Sequence, residues 1–149
     1  MPGLFVDTAA WIGLEVANDQ NHRAAVAFGQ MARRRYHWVT TNWVIWETVT
    51  WLRYHTGHAS AVRFGERVQA AERLELISVT AQHETSAWEV LKRYGDKRFS
   101  FIDCGSCSEL VTAHDPRDQG WGYALVIDGK LVDGDVARQV ILMQTSKGP

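Results

Sequence analysis

The five residues Leu4-Phe5-Val6-Asp7-Thr8 are the feature that most constrains what this chain can fold into. Three large apolar residues end abruptly in a carboxylate and a hydroxyl. A short apolar run of this kind is typical of a buried strand in a parallel sheet. Ligands bind at the carboxyl ends of such strands, so Asp7 is predicted to lie at a functional edge. The alternative is that Asp7 only caps the helix predicted to follow it.

Strands and helices alternate along the chain. Aromatic and β-branched residues predict a second strand over 36–41 and a third over 74–79. Helical periodicity predicts helices over 43–55, 59–71 and 82–94, and a further helix that Asp19 caps. Asn42 is the predicted N-cap of the helix that starts at Trp43. This alternation predicts an α/β fold with a mostly parallel central sheet and helices on both faces.

The composition fits one globular domain covering residues 1–149. Of these residues 46% are hydrophobic and 22% are charged, and the net charge of -1 does not indicate a nucleic-acid binder. No apolar run is long enough to cross a membrane and no signal peptide is visible, so we expect a cytoplasmic protein. Cys104 and Cys107 are expected to be reduced thiols, because no second ligand pair accompanies them for metal or redox chemistry.

Three carboxylates interrupt apolar segments, namely Asp7, Glu47 and Asp103. Helical spacing places Glu47 beside Val44 and Trp51, so its carboxylate is not expected to be a freely solvated charge. Each acid also has a simpler explanation, since Asp103 can cap a helix and Glu47 can reach solvent. If all three meet at one edge of the sheet, they repel one another unless a cation lies between them. Oxygen ligands without a histidine at ligand spacing favour Mg²⁺ or Mn²⁺ over zinc.

The motifs of other hydrolases are absent from the sequence. The six histidines form no H-E-x-x-H pattern, and the chain contains neither G-x-x-x-x-G-K-[ST] nor G-x-S-x-G. Because no phosphate-cradling loop is visible, a phosphohydrolase acting on small phosphates is the weaker alternative.

Three motifs resemble those of PIN-domain ribonucleases, and most closely those of VapC-type toxins. The first is Leu-Phe-Val-Asp-Thr, and the second is Thr-Thr-Asn with Glu47 five residues after the Asn. The third and most specific runs from Arg93 to Cys104 and reads R-Y-x-D-K-x-F-S-F-x-D-C. The resemblance covers about residues 4–104 and implies a PIN-like three-layer fold.

The resemblance also implies an activity and a partner. VapC-type toxins are Mg²⁺-dependent endoribonucleases of type II toxin–antitoxin pairs, and an antitoxin protein usually blocks their site. By motif match, Asp7, Glu47 and Asp103 are the catalytic metal ligands. Thr8 and Ser100 match polar positions near the site.

The chain departs from the family pattern after Cys104, and residues 112–149 are atypical. The family's next strand ends in a fourth acid; here residues 123–127 are predicted to form a strand parallel to the first, ending at Asp128. Asp128-Gly129 is also a strong hairpin signal, and we favour antiparallel pairing of residues 130–132 with this strand. If the tail is instead foreign sequence, the protein is a catalytically defective PIN-like protein that retains antitoxin or RNA binding. The role of Asp96, within the third motif, stays open.

Basic and aromatic side chains provide candidate contacts to RNA and to other proteins. Trp43 and Trp46 could stack on bases, although packing in the core or in a dimer is the favoured use. The helices over 59–71 and 43–51 carry more large apolar residues than one core needs, which predicts a homodimer or an antitoxin surface. Candidate phosphate contacts, which could equally form a solvated face, are Arg33, Arg34, Arg35, Arg53, Arg63, Arg93, Lys97 and Arg98.

Overall fold

The computed structural model describes residues 3–93, 121–127 and 130–132, which form a five-stranded sheet. Its strands are β1 (Gly3–Val6), β2 (His37–Thr41), β3 (Leu74–Ile77), β4 (Trp121–Ile127) and β5 (Lys130–Val132). The spatial order is β3-β2-β1-β4-β5. The first four strands are parallel, and β5 runs antiparallel to β4. The predicted α/β architecture with a mostly parallel sheet and helices on both faces is confirmed.

Five helices connect the strands in the described part of the chain. They are α1 (Thr8–Glu15), α2 (His22–Arg35), α3 (Asn42–His55), α4 (His58–Gln69) and α5 (Ala81–Arg93). The bounds of α3, α4 and α5 lie within two residues of the predicted helices over 43–55, 59–71 and 82–94. None of these helices is long and apolar enough to cross a lipid bilayer.

The core forms around the first strand, as its continuous apolar run predicts. Leu4, Phe5 and Val6 are all buried in one cluster with residues of the helices that cover the sheet. Strands of the sheet flank β1 on both sides. Helices α1 and α2 pack closely at Gly13, where an added Cβ would lie 3.2 Å from the Cβ of Ala25. The first strand is therefore the centre of the sheet, and its carboxyl end is fixed by its neighbours.

Two predicted helix caps are wrong. Thr41, not Asn42, is the N-cap of α3, and its hydroxyl accepts a hydrogen bond from the backbone N–H of Val44 at 3.2 Å. Asn21, not Asp19, is the N-cap position of α2. Asp19 instead accepts from the N–H of Asn21 at 2.8 Å, in the turn before the helix. In both cases the predicted residue accepts a hydrogen bond from a backbone N–H outside the helix, and another residue occupies the N-cap position.

The strand predicted over 123–127 exists and extends from Trp121 to Ile127. It pairs parallel with β1, with Phe5 opposite Tyr123. The favoured hairpin also exists, because Ile127 pairs with Lys130 and Leu125 with Val132. The hypothesis that Asp128 is a fourth metal ligand requires that residues 130–132 do not pair antiparallel with this strand. Because they do pair in this way, the hypothesis is wrong. Asp128 itself lies outside the described residues.

Several predictions fall on positions that the structure does not describe. These are the helix predicted after Asp103, the thiols of Cys104 and Cys107, and the family positions Asp96 and Ser100. The single-domain boundary at 1–149 likewise stays a prediction.

Candidate active site

The carboxyl ends of β1 and β2 lie side by side, and a polar residue directly follows each strand. The two strands are parallel, with Phe5 opposite Val39. The residues that follow them, Asp7 and Asn42, therefore emerge at the same edge of the sheet. We call this region the carboxyl edge.

Asp7 caps helix α1 and lies half-buried at this edge. Its Oδ1 accepts a hydrogen bond from the backbone N–H of Ala10 at 2.8 Å, and its backbone carbonyl accepts from the N–H of Trp11 at 3.1 Å. Asp7 is therefore the N-cap of α1, as the simpler interpretation predicts. A capping bond holds the carboxylate in one orientation and leaves it at the ligand-binding edge, so the two roles are compatible.

Glu47 is brought to the same edge by a hydrogen bond from Thr8. The Thr8 hydroxyl donates to Oε2 of Glu47 across 39 residues of sequence. Because Thr8 directly follows Asp7, this bond places the second acid beside the first. Glu47 is half-buried rather than freely solvated, as its position between Val44 and Trp51 on the helix predicts.

Two buried threonine hydroxyls near this edge donate hydrogen bonds to backbone carbonyls. Thr40 donates to the backbone carbonyl of Val6 at 2.8 Å, and Thr48 donates to the carbonyl of Val44 at 2.8 Å. The side chain of Asn42 accepts from the backbone N–H of Val79 at 2.9 Å, which links the end of β2 to the segment after β3. The Thr-Thr-Asn motif predicts this region, but no local pattern predicts that its polar atoms bind backbone groups.

The residues described at the carboxyl edge fit a hard divalent cation as part of a ligand set. Asp7 and Glu47 contribute carboxylate oxygens, which Mg²⁺ and Mn²⁺ prefer. Within residues 3–93, 121–127 and 130–132, no group of three His, Cys, Asp or Glu side chains could hold a metal ion. Asp103, the third predicted ligand, lies outside these residues, so its approach to the other two stays a prediction.

A concave region lies at the opposite, amino edge of the sheet, where β2 and β3 begin. The cavity has a volume of about 670 Å³, and we call it the amino-edge groove. Its apolar wall centres on Trp11, which makes edge-on contacts with Trp38 and Phe64 at ring centroid distances of 5.8 and 5.6 Å. Three guanidinium groups line it as well, those of Arg33, Arg67 and Arg73.

Comparison with known proteins fixes the family. A family model described as the PIN domain matches residues 4–107. The chain belongs to the PIN-domain family. This PIN domain is 34% identical over 127 residues to the 23S rRNA-specific endonuclease VapC20 of Mycobacterium tuberculosis, in two strains. That match covers 85% of this chain and 89% of the relative.

A solved structure supports the same assignment. The crystal structure of Mycobacterium tuberculosis VapC20, described as a sarcin–ricin loop cleaving toxin, matches this PIN domain with a TM-score of 0.64 and 31% sequence identity. The match covers 72% of this chain and 80% of that chain. The resemblance to VapC-type toxins is therefore confirmed.

The length of the sequence match bears on the atypical tail. A match over 127 residues in a chain of 149 must extend to about residue 127, wherever it begins. It therefore includes the part of the tail that forms β4. The family model, in contrast, ends at residue 107, so the origin of the tail after Cys104 stays a prediction.

Proposed function

We propose that this PIN domain is a Mg²⁺-dependent endoribonuclease, the toxin of a type II toxin–antitoxin pair, and that it cleaves 23S rRNA at the sarcin–ricin loop. The single observation that carries the proposal is the Thr8–Glu47 hydrogen bond, which brings a second carboxylate to the edge where Asp7 lies. The relatives named VapC20 provide the substrate class. The protein would act in the cytoplasm, where ribosomes are.

The chemistry follows from the charges at the carboxyl edge. Two carboxylates repel an RNA phosphate, so they favour phosphodiester binding only with a cation between acids and substrate. Asp7, Glu47 and Asp103 would hold Mg²⁺, or Mn²⁺ in its place. The ion would supply a Lewis acid that stabilises charge on the phosphate oxygens. Asp7 is oriented by its bond to the N–H of Ala10, and Thr8 orients Glu47, so the ligands are preorganised.

The test is cleavage of 23S rRNA by the purified protein, with ribosomes and a synthetic sarcin–ricin hairpin as substrates. We expect a single cut with Mg²⁺ and none with EDTA. Asp7→Asn keeps the capping oxygen and removes the charge, and should lower the rate by more than about a hundredfold, because even outer-shell changes at metal sites cost 10- to 100-fold.

Asp19→Asn is the matched control for that variant. Asp19 also accepts one backbone N–H at 2.8 Å, but it lies in the turn before α2 rather than after a strand. We expect its rate to equal that of the parent. Equal rates for Asp7→Asn and the parent would refute the metal-ligand role. RNA binding by the parent without any cleavage would support the alternative, a catalytically defective binding protein.

The amino-edge groove is the surface we assign to the antitoxin. The groove also contains Glu15, which pairs with Arg67, so Arg33 and Arg73 are the basic groups that the apolar wall offers to a partner. This combination favours a partner that offers apolar side chains flanked by acids. Ala71 is exposed and lines the groove. Ala71→Trp should abolish inhibition by the cognate antitoxin and leave cleavage intact, whereas Ala59→Trp, at an exposed position at the start of α4, should change neither.

A homodimer is the second expected assembly. The apolar side chains exposed on α3 and α4 include Tyr54 and Val62, whereas Phe64 and Val68 of α4 are buried in the core. The surplus of apolar residues on α4 is thus smaller than the sequence suggested. Light scattering on the free protein distinguishes a dimer from a monomer.

A further inference from the structure

Helix α3 presents an exposed tryptophan directly beside the candidate metal ligand Glu47. Trp46 is 52% exposed, although a large aromatic side chain is normally buried. It precedes Glu47 in the chain, so the two side chains leave the helix about 100° apart, at nearly the same height. The indole therefore lies at the rim of the carboxyl edge, within reach of a substrate held there.

A basic residue lies on the same side of α3 as Trp46. Arg53 follows seven residues later, which is two helical turns and about 10 Å along the axis. Its side chain is exposed and makes no ion pair with any residue in the described ranges. An aromatic surface for a base, followed by a cation for a phosphate, is the combination with which proteins bind single-stranded nucleic acid.

We propose that Trp46 stacks on a base of the RNA strand next to the phosphate bound at the carboxyl edge, and that Arg53 contacts a phosphate further along the same strand. This inference rests on the proposed endoribonuclease function and names the helix that guides its substrate. An unpaired strand is required, because bases in a duplex stack on one another and present no free face. The exposed side of α3 therefore selects loops over helical RNA.

A protein partner is the competing use of this surface, because tryptophan and arginine are both enriched at protein interfaces. The position of Trp46 next to the candidate metal ligand Glu47 is the observation that favours RNA. Core packing is excluded for Trp46 by its exposure. The neighbouring Thr50, on the same face, is exposed and donates its hydroxyl to the carbonyl of Trp46, so it adds no apolar surface.

The test measures binding separately from cleavage. Binding is measured in the Asp7→Asn background, in which we expect cleavage to be too slow to consume the RNA. The probe is a fluorescent hairpin with the sarcin–ricin sequence. Trp46→Ala should weaken binding roughly ten- to a hundredfold, the range found when a base loses its aromatic partner. Trp46→Phe keeps a stacking surface and should restore most of the affinity. In the cleaving protein, Trp46→Ala should raise KM more than it lowers kcat.

Trp88 supplies the matched control. It is 54% exposed, almost the same as Trp46, but lies on α5. Trp88→Ala should leave RNA affinity unchanged. Arg53→Gln should reduce the dependence of log affinity on log salt by about 0.7, the value for one phosphate contact on a single strand. Arg23→Gln, at an exposed position on α2, should not change it.

The outcomes separate this inference from the proposed function. If the parent cleaves RNA and Trp46→Ala binds and cleaves like the parent, the inference is wrong and the function stands. If Trp46→Ala converts a dimer into a monomer on light scattering, Trp46 is an interface residue and the inference is also wrong. If the parent neither binds nor cleaves the hairpin or ribosomes, both fail.

Discussion

The carboxyl edge and the amino edge of the sheet are formed by the same strands and differ in the chemistry that they present. At the carboxyl edge, Asp7, Thr8, Glu47 and Asn42 each have a named hydrogen-bond partner. At the amino edge, aromatic rings form the wall of a groove of about 670 Å³. The first edge is organised by directional bonds and the second by packing. We therefore expect substitutions at the amino edge to change stability and those at the carboxyl edge to change activity.

The largest expected effect on stability is at the wall of the amino-edge groove. Phe64 is 1% exposed and packs edge-on against Trp11. Phe64→Ala should lower the free energy of unfolding by about 3–5 kcal/mol, because it removes a buried ring and leaves a cavity. Urea unfolding measures this change. Val62→Ala, at an exposed position two residues earlier, should stay within about 0.5 kcal/mol of the parent.

A small loss for Phe64→Ala would contradict this division between the edges. It would mean that the groove wall can collapse around the missing ring, or that the aromatic cluster contributes little to the core. The division would also be contradicted if the folded fraction of Phe64→Ala lost most of its cleavage activity, because a substitution at the amino edge is expected to change stability only.

The second effect concerns activity at the carboxyl edge. Thr8→Val keeps the shape of the side chain and removes the donor to Glu47. We expect cleavage to fall roughly ten- to a hundredfold, as for other residues that orient a metal ligand. The free energy of unfolding should fall by about 0.5–1.5 kcal/mol, the net contribution of one hydrogen bond. Single-turnover cleavage and thermal unfolding measure the two quantities.

Thr85→Val is the control for Thr8→Val. Thr85 also donates its hydroxyl, to the backbone carbonyl of Ala81 within α5, and it is exposed. We expect no change in its cleavage rate. If both threonine variants cleave like the parent, Thr8 does not position Glu47 for the reaction.

The two edges also differ in how far the sequence predicts them. Asp7 and Glu47 are visible in the sequence because each acid interrupts a local apolar pattern. The groove is not visible, because its wall combines Trp11 of α1, Trp38 of β2 and Phe64 of α4, and no local pattern links residues from three elements. Only the topology that brings these elements together creates the groove.

The wrong helix caps have a similar cause. Thr41 and Asn42 are adjacent and both are good N-caps, so local sequence cannot choose between them. The choice depends on Val79, which follows β3 and uses the Asn42 oxygen as its acceptor. Val79 lies 37 positions after Asn42 in the sequence, so no local pattern can show this hydrogen bond. Tertiary contacts thus decide details that propensity leaves open, whereas helical periodicity predicts the bounds of α3, α4 and α5 to within two residues.

A smaller effect separates the two roles of Asp7. Asp7→Ala loses the acceptor for the N–H of Ala10 and should destabilise the protein by about 1 kcal/mol, the usual cost of losing an N-cap. Asp7→Asn keeps an acceptor and should leave stability unchanged, or raise it slightly without metal, since it relieves repulsion between carboxylates. Both variants should be inactive. Thermal unfolding in EDTA makes the comparison.

If Asp7→Asn unfolds under conditions where the parent stays folded, Asp7 is chiefly a structural residue and the metal-ligand role loses its support. If Asp7→Ala is as stable as the parent, the capping bond contributes nothing measurable.

The smallest expected effect is that of an ion pair beside the amino-edge groove. Arg67 donates to the carboxylate of Glu15, and the two side chains are 57% and 21% exposed. Water and salt screen such a pair, so its coupling energy should not exceed about 1 kcal/mol at low ionic strength and should fall further at high salt. A double-mutant cycle with Glu15→Gln and Arg67→Gln measures it. A coupling well above this value that survives high salt would show that a directional polar contact, and not packing alone, organises the amino edge.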